Sequence, residues 1–482
     1  MAWEIVMGLE VHVELSTKTK IFCSCTTEFG GLPNTHCCPI CTGMPGTLPV
    51  LNKKVLEYSV KAGTALNCTI NQNNKFDRKN YFYPDLPKDY QISQLYLPFA
   101  QNGHVDIITR SGKKKTIRIH EIHMEEDAGK LIHSKMGEVT YPDYNRCGVP
   151  LIEIVSEPDF RSAEEVIAYL EKIRSTLKYL GVSDCKMQEG SLRADVNLSV
   201  HEIGTNFGTR TEMKNINSFK AIERAIEFEA KRQIQLLEKG EKIVQETRKW
   251  DDNKGKSFAM RSKENAQDYR YFPEPDIPPI YISDEYLKNI KNNQVELADE
   301  RAKRYMNNYS FSEYNAKMMT MEKSISDIFE KTIAIYNNPK ETCKWIMGSA
   351  AYLANEQNIP FEEIVINPEN FAEFIEIIDK GIVNLYTGKR IFEKIFNNPK
   401  RFNVNKYIND NGLAVINDDS EIINVAKEII ESNPKALEEF LSGKEKAFGF
   451  FMGQCMRRLK GKADPSSLTD IIKKELKKYK ES

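Results

Sequence analysis

Beyond His201 the chain has no histidine: all seven lie in the first 201 of its 482 residues. Chemistry that needs an imidazole is therefore confined to the first half. There is no excess of one charge, with 68 Lys and Arg against 69 Asp and Glu, so no global basic field points to nucleic acid. No apolar run reaches transmembrane length. The strand pattern begins at Trp3, with no charged-then-apolar leader and no Arg/Ser-rich transit segment. The expectation is a cytoplasmic protein with no membrane association. There is no G-x-x-x-x-G-K-[ST] loop and no G-x-G-x-x-G run. An amidase-type serine cluster and a cysteine nucleophile of the glutaminase kind are also missing. Any use of ATP must then rest on carboxylates and a divalent cation, and any ammonia must come from another protein.

What is present is a repeated strand design. In Leu9-Glu10-Val11-His12-Val13-Glu14-Leu15 apolar and ionisable residues alternate. A pleated strand sends Leu9, Val11, Val13 and Leu15 to one face and Glu10, His12 and Glu14 to the other. Carboxylates held side by side repel unless a cation or solvent screens them. Such a face suits Mg2+, which takes carboxylate oxygens and keeps waters that a phosphate can replace. Between Ser191 and Val200 the design recurs, with Arg193, Asp195, Asn197 and Ser199 opposite an apolar row. Arg210, Glu212 and Lys214 share a face further on. His120 to Asp127 is the densest ionisable run, and adjacency sends Glu125 and Glu126 to opposite faces. The plain alternative is four half-exposed strands of an antiparallel sheet with solvated polar faces.

Five of the ten cysteines, Cys23, Cys25, Cys37, Cys38 and Cys41, fall in one Gly/Pro/Asn-rich segment. Disulfides are not expected in a cytoplasmic chain. Cys23-Ser24-Cys25 and Cys38-Pro39-Ile40-Cys41 can supply a closed tetrahedral thiolate set for a structural Zn2+, with Cys37 and His36 as competing ligands. The alternative is a group of free thiols. The segment Phe76 to Gln94 is aromatic, basic and rigid: Lys79 and Lys88 can neutralise phosphate and tyrosines such as Tyr81 can stack on a base or ribose. An ordinary surface loop is the other reading.

The order of strands, helix, strands and helix predicts an α+β fold with an antiparallel sheet. One helix is predicted from Ser162 to Leu180, Ser-capped and stopped by Gly181, and another from Ser218 to Lys239 before Gly240. The proline-rich run Tyr271 to Pro279 ends this part. We expect three domains: residues 1–290 with the Cys-rich loop at 23–41, a helical domain at 291–405, and a small basic helical domain at 406–482. From Leu441 to Ser482 there are eleven Lys or Arg against five Asp or Glu, with Arg457, Arg458, Lys460 and Lys462 clustered. A basic end on a neutral chain suits a phosphate backbone, although Lys near a helix C-terminus also complements the helix dipole.

Gly8 to Leu15, Phe76 to Gln94, His123 to Lys130, Pro150 to Asp159 and Asp268 to Asp276 together resemble the family of B subunits of bacterial aspartyl/glutamyl-tRNA(Asn/Gln) amidotransferases. Gly449 to Gln454 and Lys460 to Pro465 resemble the tail of the same family, so the resemblance runs the length of the chain. It implies a glutamine-synthetase-like cradle followed by all-α domains. It further implies ATP-dependent phosphorylation of the side-chain carboxylate of mischarged Glu-tRNA(Gln) or Asp-tRNA(Asn), then amidation by ammonia. The ammonia would come from an amidase A subunit, with a small C subunit completing a heterotrimer. Glu10, His12, Glu125, Asp195 and Glu212 match the family's Mg2+-binding and catalytic groups. Lys79, Tyr81, Lys88 and Glu126 match the substrate pocket and ammonia route, and the basic tail matches the tRNA-holding part. Zinc rests on the cysteine spacing alone. The competing reading is a non-catalytic, zinc-stabilised tRNA-binding scaffold. A free-standing ligase for a small amino acid leaves the basic helical third unexplained.

Overall fold

In the computed structural model the described residues are 2–134, 137, 139–260, 269–401, 403–415, 419–444, 446–459 and 463–480. They form two compact units, Met1–Leu297 and Ala298–Ser482.

The first unit is built on nine strands: β1 (Trp3–Glu14), β2 (Thr69–Ile70), β3 (Ala100–Ile108), β4 (Lys114–Glu126), β5 (Pro150–Ser156), β6 (Leu192–Glu202), β7 (Thr211–Lys214), β8 (Thr247–Asp251) and β9 (Lys256–Ala259). Their order is β9-β8-β7-β6-β1-β5-β4-β3-β2. Each neighbouring pair is antiparallel except β7 with β8. β1 is thus central, held on both sides. Its apolar row, Leu9, Val11, Val13 and Leu15, is buried against the core, as is the row Leu192, Ala194, Val196, Leu198 and Val200 of β6. Three helices cover this face: α1 (Lys53–Ala65), α2 (Ala163–Leu180) and α3 (Phe219–Glu238). Ser162 caps α2 by accepting from the Glu165 amide, and Gly181, at φ 66°, closes it in the left-handed conformation. Ser218 caps α3 in the same way through the Ala221 amide. The predicted α+β class and both helices hold, because hydrophobic period and cap residues agree locally at each.

The chain does not leave this unit at the proline-rich run. Ile280–Tyr281 pairs with Asn73–Asn74, and the helix Asp284–Asn292 packs on α1 through Ile282, Ile290 and Val60. Phe76 to Gln94 is not a simple loop: Asp77–Asn80 and Tyr90–Ser93 pair antiparallel, and Phe272–Pro273 pairs on the outer side of the first. Arg78 clamps this small sheet by donating to Glu274 and Asp276 while its guanidinium lies 4.1 Å from the Tyr90 ring centroid.

The second unit is helical throughout its described residues. One core gathers Tyr305, Phe329, Trp345, Phe374 and Phe392; another gathers Ile422, Ile430, Phe451, Leu468 and Leu476. No helix among the described residues is long and apolar enough to cross a membrane.

Leu170 on α2 is fully buried in the core under the sheet. Leu170→Ala is expected to destabilise the first unit by about 2–5 kcal/mol, seen as a lower urea midpoint for loss of strand circular dichroism, with the helical unit's transition unmoved.

Candidate functional site

The face of the sheet opposite the helices carries the ionisable rows. Register decides which of them meet. His12 of β1 lies opposite Glu153 of β5, and Glu153 lies opposite His123 of β4. Glu10 lies opposite Asp195 of β6, and Asn197 lies opposite Glu212 of β7. The five residues singled out in the sequence therefore divide between two groups, one of which gains Glu153 as a sixth member. His12, Glu125 and Glu153 form one; Glu10, Asp195 and Glu212 form the other; within each, one ligand atom per residue lies within 4.8 Å of the rest.

In the first group His12 Nε2 is 3.6 Å from both Glu125 Oε1 and Glu153 Oε2. His123 Nε2 is 2.8 Å from Glu153 Oε2 and 3.7 Å from Glu125 Oε2. Burial pulls the His123 imidazole down, but the two carboxylates outweigh it and push it up to about 10. Burial pushes the Glu153 carboxyl up, but its neighbours His12, His123 and Lys79 outweigh burial and hold it well below the usual range. Glu153 and His123 were not singled out from the sequence. Leu151-Ile152-Glu153-Ile154-Val155 places one carboxylate in an otherwise apolar strand, which by itself gives no partner for it.

In the second group Lys214 Nζ bridges Asp195 Oδ2 at 2.7 Å and Glu212 Oε1 at 2.8 Å. Thr247 donates to Glu212 Oε2, and Asn197 Nδ2 donates to Glu10 Oε1. Glu10 keeps no cation of its own within ion-pair distance among the described residues; burial, then the Glu153 charge, raises its pKa. Both groups offer the carboxylate oxygens that Mg2+ accepts, and the first adds the His12 imidazole.

Lys79 and Tyr81 rise from the small sheet. Lys79 Nζ is 4.8 Å from the Tyr269 ring centroid and 5.9 Å from that of Tyr81, and Tyr269 packs edge-on against Tyr271. Glu126 points to the far side of β4 from Glu125, as adjacency requires. There it pairs with Lys88 and accepts from the Ile92 amide at 2.9 Å. This buried pair shares a cavity with Cys23, Cys41, Gly43 and Lys20.

Cys23, Cys25, Cys38 and Cys41 come together, leaving Cys37 and His36 outside the set. The Cys37 thiol donates to the Asn34 carbonyl instead. Cys38 and Cys41 Sγ are 3.9 Å apart, close to the ~3.8 Å edge of a tetrahedron with ~2.3 Å zinc–sulfur bonds. A hydrogen bond from Cys23 holds the Cys41 thiol down to about 5 against burial, with the Cys38 amide and Lys20 helping. Four cysteine sulfurs gathered at this spacing fit a structural zinc.

Arg457 and Arg458 are exposed at the end of the helix Lys446–Arg458, where Arg458 reaches Glu428 at 3.4 Å. Lys460 and Lys462 lie outside the described residues.

At the end of β1, Glu14 meets Asp127, which Arg193 holds at 2.9 Å. Burial, then the Asp127 charge, raises the Glu14 carboxyl to about 8. A raised carboxyl stays protonated in the fold while the unfolded chain ionises, so stability is full below about pH 4.5 and falls as pH rises toward 8. Glu14→Gln should flatten that fall. Its melting temperature relative to the parent is expected to rise steadily between pH 5 and 8, measured by calorimetry.

Residues 5–288 match the family described as the GatB/GatE catalytic domain, and residues 327–476 match that described as the GatB domain. The B subunit of the aspartyl/glutamyl-tRNA(Asn/Gln) amidotransferase of Lachnoclostridium phytofermentans is 58% identical over 477 residues, covering 99% of each chain. The protein of that name from Caldicellulosiruptor saccharolyticus is 53% identical over 99% of this chain and 100% of its own. The one from Thermodesulfovibrio yellowstonii is 49% identical over the same shares. This chain belongs to the family of B subunits of aspartyl/glutamyl-tRNA(Asn/Gln) amidotransferases.

Proposed function

We propose that this chain is the amide-forming subunit of a tRNA-dependent amidotransferase. Its substrate is the side-chain carboxylate of mischarged Glu-tRNA(Gln) or Asp-tRNA(Asn). A carboxylate oxygen attacks the γ-phosphorus of ATP and ADP leaves. Ammonia then attacks the acyl carbon, inorganic phosphate departs, and the surplus proton passes to a nearby base. The observation that carries this reading is the pair of adjoining groups, His12/Glu125/Glu153 and Glu10/Asp195/Glu212, on one face of the sheet.

Those residues would hold Mg2+, which neutralises charge on phosphate oxygens. The chain's own side chains do the rest. Lys214 and Asn197 fix Asp195, Glu212 and Glu10 in place. His123 orients Glu153. Lys79, lodged among tyrosines, offers a cation to the incoming carboxylate or phosphate. Lys88 and Glu126, paired within the unit, offer polar atoms along a route for ammonia. The four cysteines would carry a structural Zn2+, away from the reacting atoms. An amidase A subunit would supply ammonia and a small C subunit would brace the pair, since nothing in this chain supplies a glutaminase nucleophile. Arg457, Arg458 and their basic neighbours would hold tRNA by its backbone and shape.

The test is the assembled complex with mischarged glutamyl-tRNA, ATP, Mg2+ and ammonium, following ADP and glutaminyl-tRNA together. Glu125→Gln and Glu153→Gln are each expected to lower both products at least 100-fold while tRNA still binds. Undiminished amide formation in both variants would leave the chain as a scaffold. Removing the tail from Leu441 should weaken tRNA affinity about 10-fold or more, measured by filter binding, without lowering ammonia-dependent turnover at saturating tRNA.

A further inference from the structure

Lys20 is the one fully buried lysine among the described residues, with a relative exposure of 0%. Its ammonium donates to the His36 carbonyl at 2.7 Å and to Cys41 Sγ at 3.6 Å. No carboxylate lies within 4.0 Å of it among the described residues. An ammonium in such a place costs several kcal/mol unless an anion faces it. Apart from the His36 carbonyl, the group that Lys20 Nζ meets is the Cys41 sulfur, one corner of the four-cysteine set. The backbone fixes the residue in place: the Lys20 amide donates to the Cys25 carbonyl at 3.0 Å, and Asn52 Nδ2 donates to the Lys20 carbonyl. Its stem packs beside Gly148, where an added Cβ would lie 3.6 Å from both Lys20 Cδ and Cys41 Cβ. The Cys41 sulfur also accepts from the Cys38 amide at 3.1 Å.

We propose that Lys20 is the charge-balancing partner of the metal held by Cys23, Cys25, Cys38 and Cys41, and that it sets how firmly the metal is retained. The proposal rests on the zinc reading of those cysteines. Four thiolates around a divalent ion leave a net charge of about −2, in a site partly removed from water. An ammonium on one sulfur offsets half of that charge. Without it, protonation and release of a thiolate are favoured. Partners of this outer kind change metal affinity about 10–100-fold. Lys20 is thus a positioning and charge-compensating residue, not a ligand.

The experiment compares full-length zinc-loaded protein with Lys20→Met, Lys20→Gln and Lys20→Arg, following zinc transfer to a chromogenic chelator at fixed pH. Release is expected to be about 10–100-fold faster in the Met and Gln variants, with Arg closer to the parent. Cobalt substituted for zinc gives a second readout: the sulfur-to-cobalt charge-transfer band should shift in Met and Gln, which loss of packing alone would not produce. If the parent protein binds neither zinc nor cobalt, the zinc reading fails and the proposal with it. If the parent binds zinc and the Met and Gln variants release it at the same rate with the same cobalt spectrum, zinc stands and the proposal falls. The Gln variant keeps a donor for the His36 carbonyl, so it carries the measurement should Met not fold. Loss of fold in both that excess zinc does not reverse would assign Lys20 to packing and overturn the proposal.

Discussion

Repulsion between carboxylates, set side by side by antiparallel pairing, governs the ionisable face of the sheet. Two unit charges about 4 Å apart cost about 4 kcal/mol at an effective dielectric of 20. The fold places Glu125 and Glu153 at such range of a shared pair of imidazoles, and Glu10, Asp195 and Glu212 at such range of one another. Partial compensation is built in. His123 is pushed toward its cationic form, Glu153 is held ionised, and Lys214 spans two carboxylates. Glu10 lacks such a partner among the described residues, and burial, with the Glu153 charge adding to it, raises its pKa. A divalent cation would offset both.

The apolar face makes this tolerable. Leu9, Val11 and Val13 lock β1 into the core through the same alternation that exposes Glu10, His12 and Glu14. A slip of one residue in the pairing of β1 would bury the charged row and expose the apolar one. Stability and site geometry therefore depend on a single register. Core burial under α2 and α3 supplies the stability, and the charged face draws on it.

The cysteine-rich segment is coupled to the rest of the unit through close backbone approach. Gly43 has φ +69°, and a Cβ there would come within 2.4 Å of Lys88 Cγ. The loop carrying Cys38 and Cys41 thus abuts the stem of the lysine that pairs with Glu126. Lys20 reaches the same cavity from the other side. Cys23, Cys41, Lys20 and the Lys88–Glu126 pair thus line one cavity.

Period-two alternation made β1, β4, β6 and β7 legible, and cap residues marked both helices, because these signals are local. The four cysteines were legible from spacing, although excluding Cys37 and His36 took the loop's actual path. Glu153 and His123 went unremarked because a single carboxylate in Leu151-Ile152-Glu153-Ile154-Val155 carries no local pattern; its meaning comes from lying between His12 and His123. How the chain beyond its prolines attaches to the first unit was likewise invisible, since it depends on Ile280 and Tyr281 pairing with Asn74 and Asn73, far earlier in the chain. The sequence by itself determined which residues face the core, which face water, and which family the chain resembles. Only the tertiary structure decided that the ionisable residues form two groups and which member belongs to each. Alternation sets the face of a side chain within its own strand, whereas its neighbours are chosen by pairing between strands far apart in the chain.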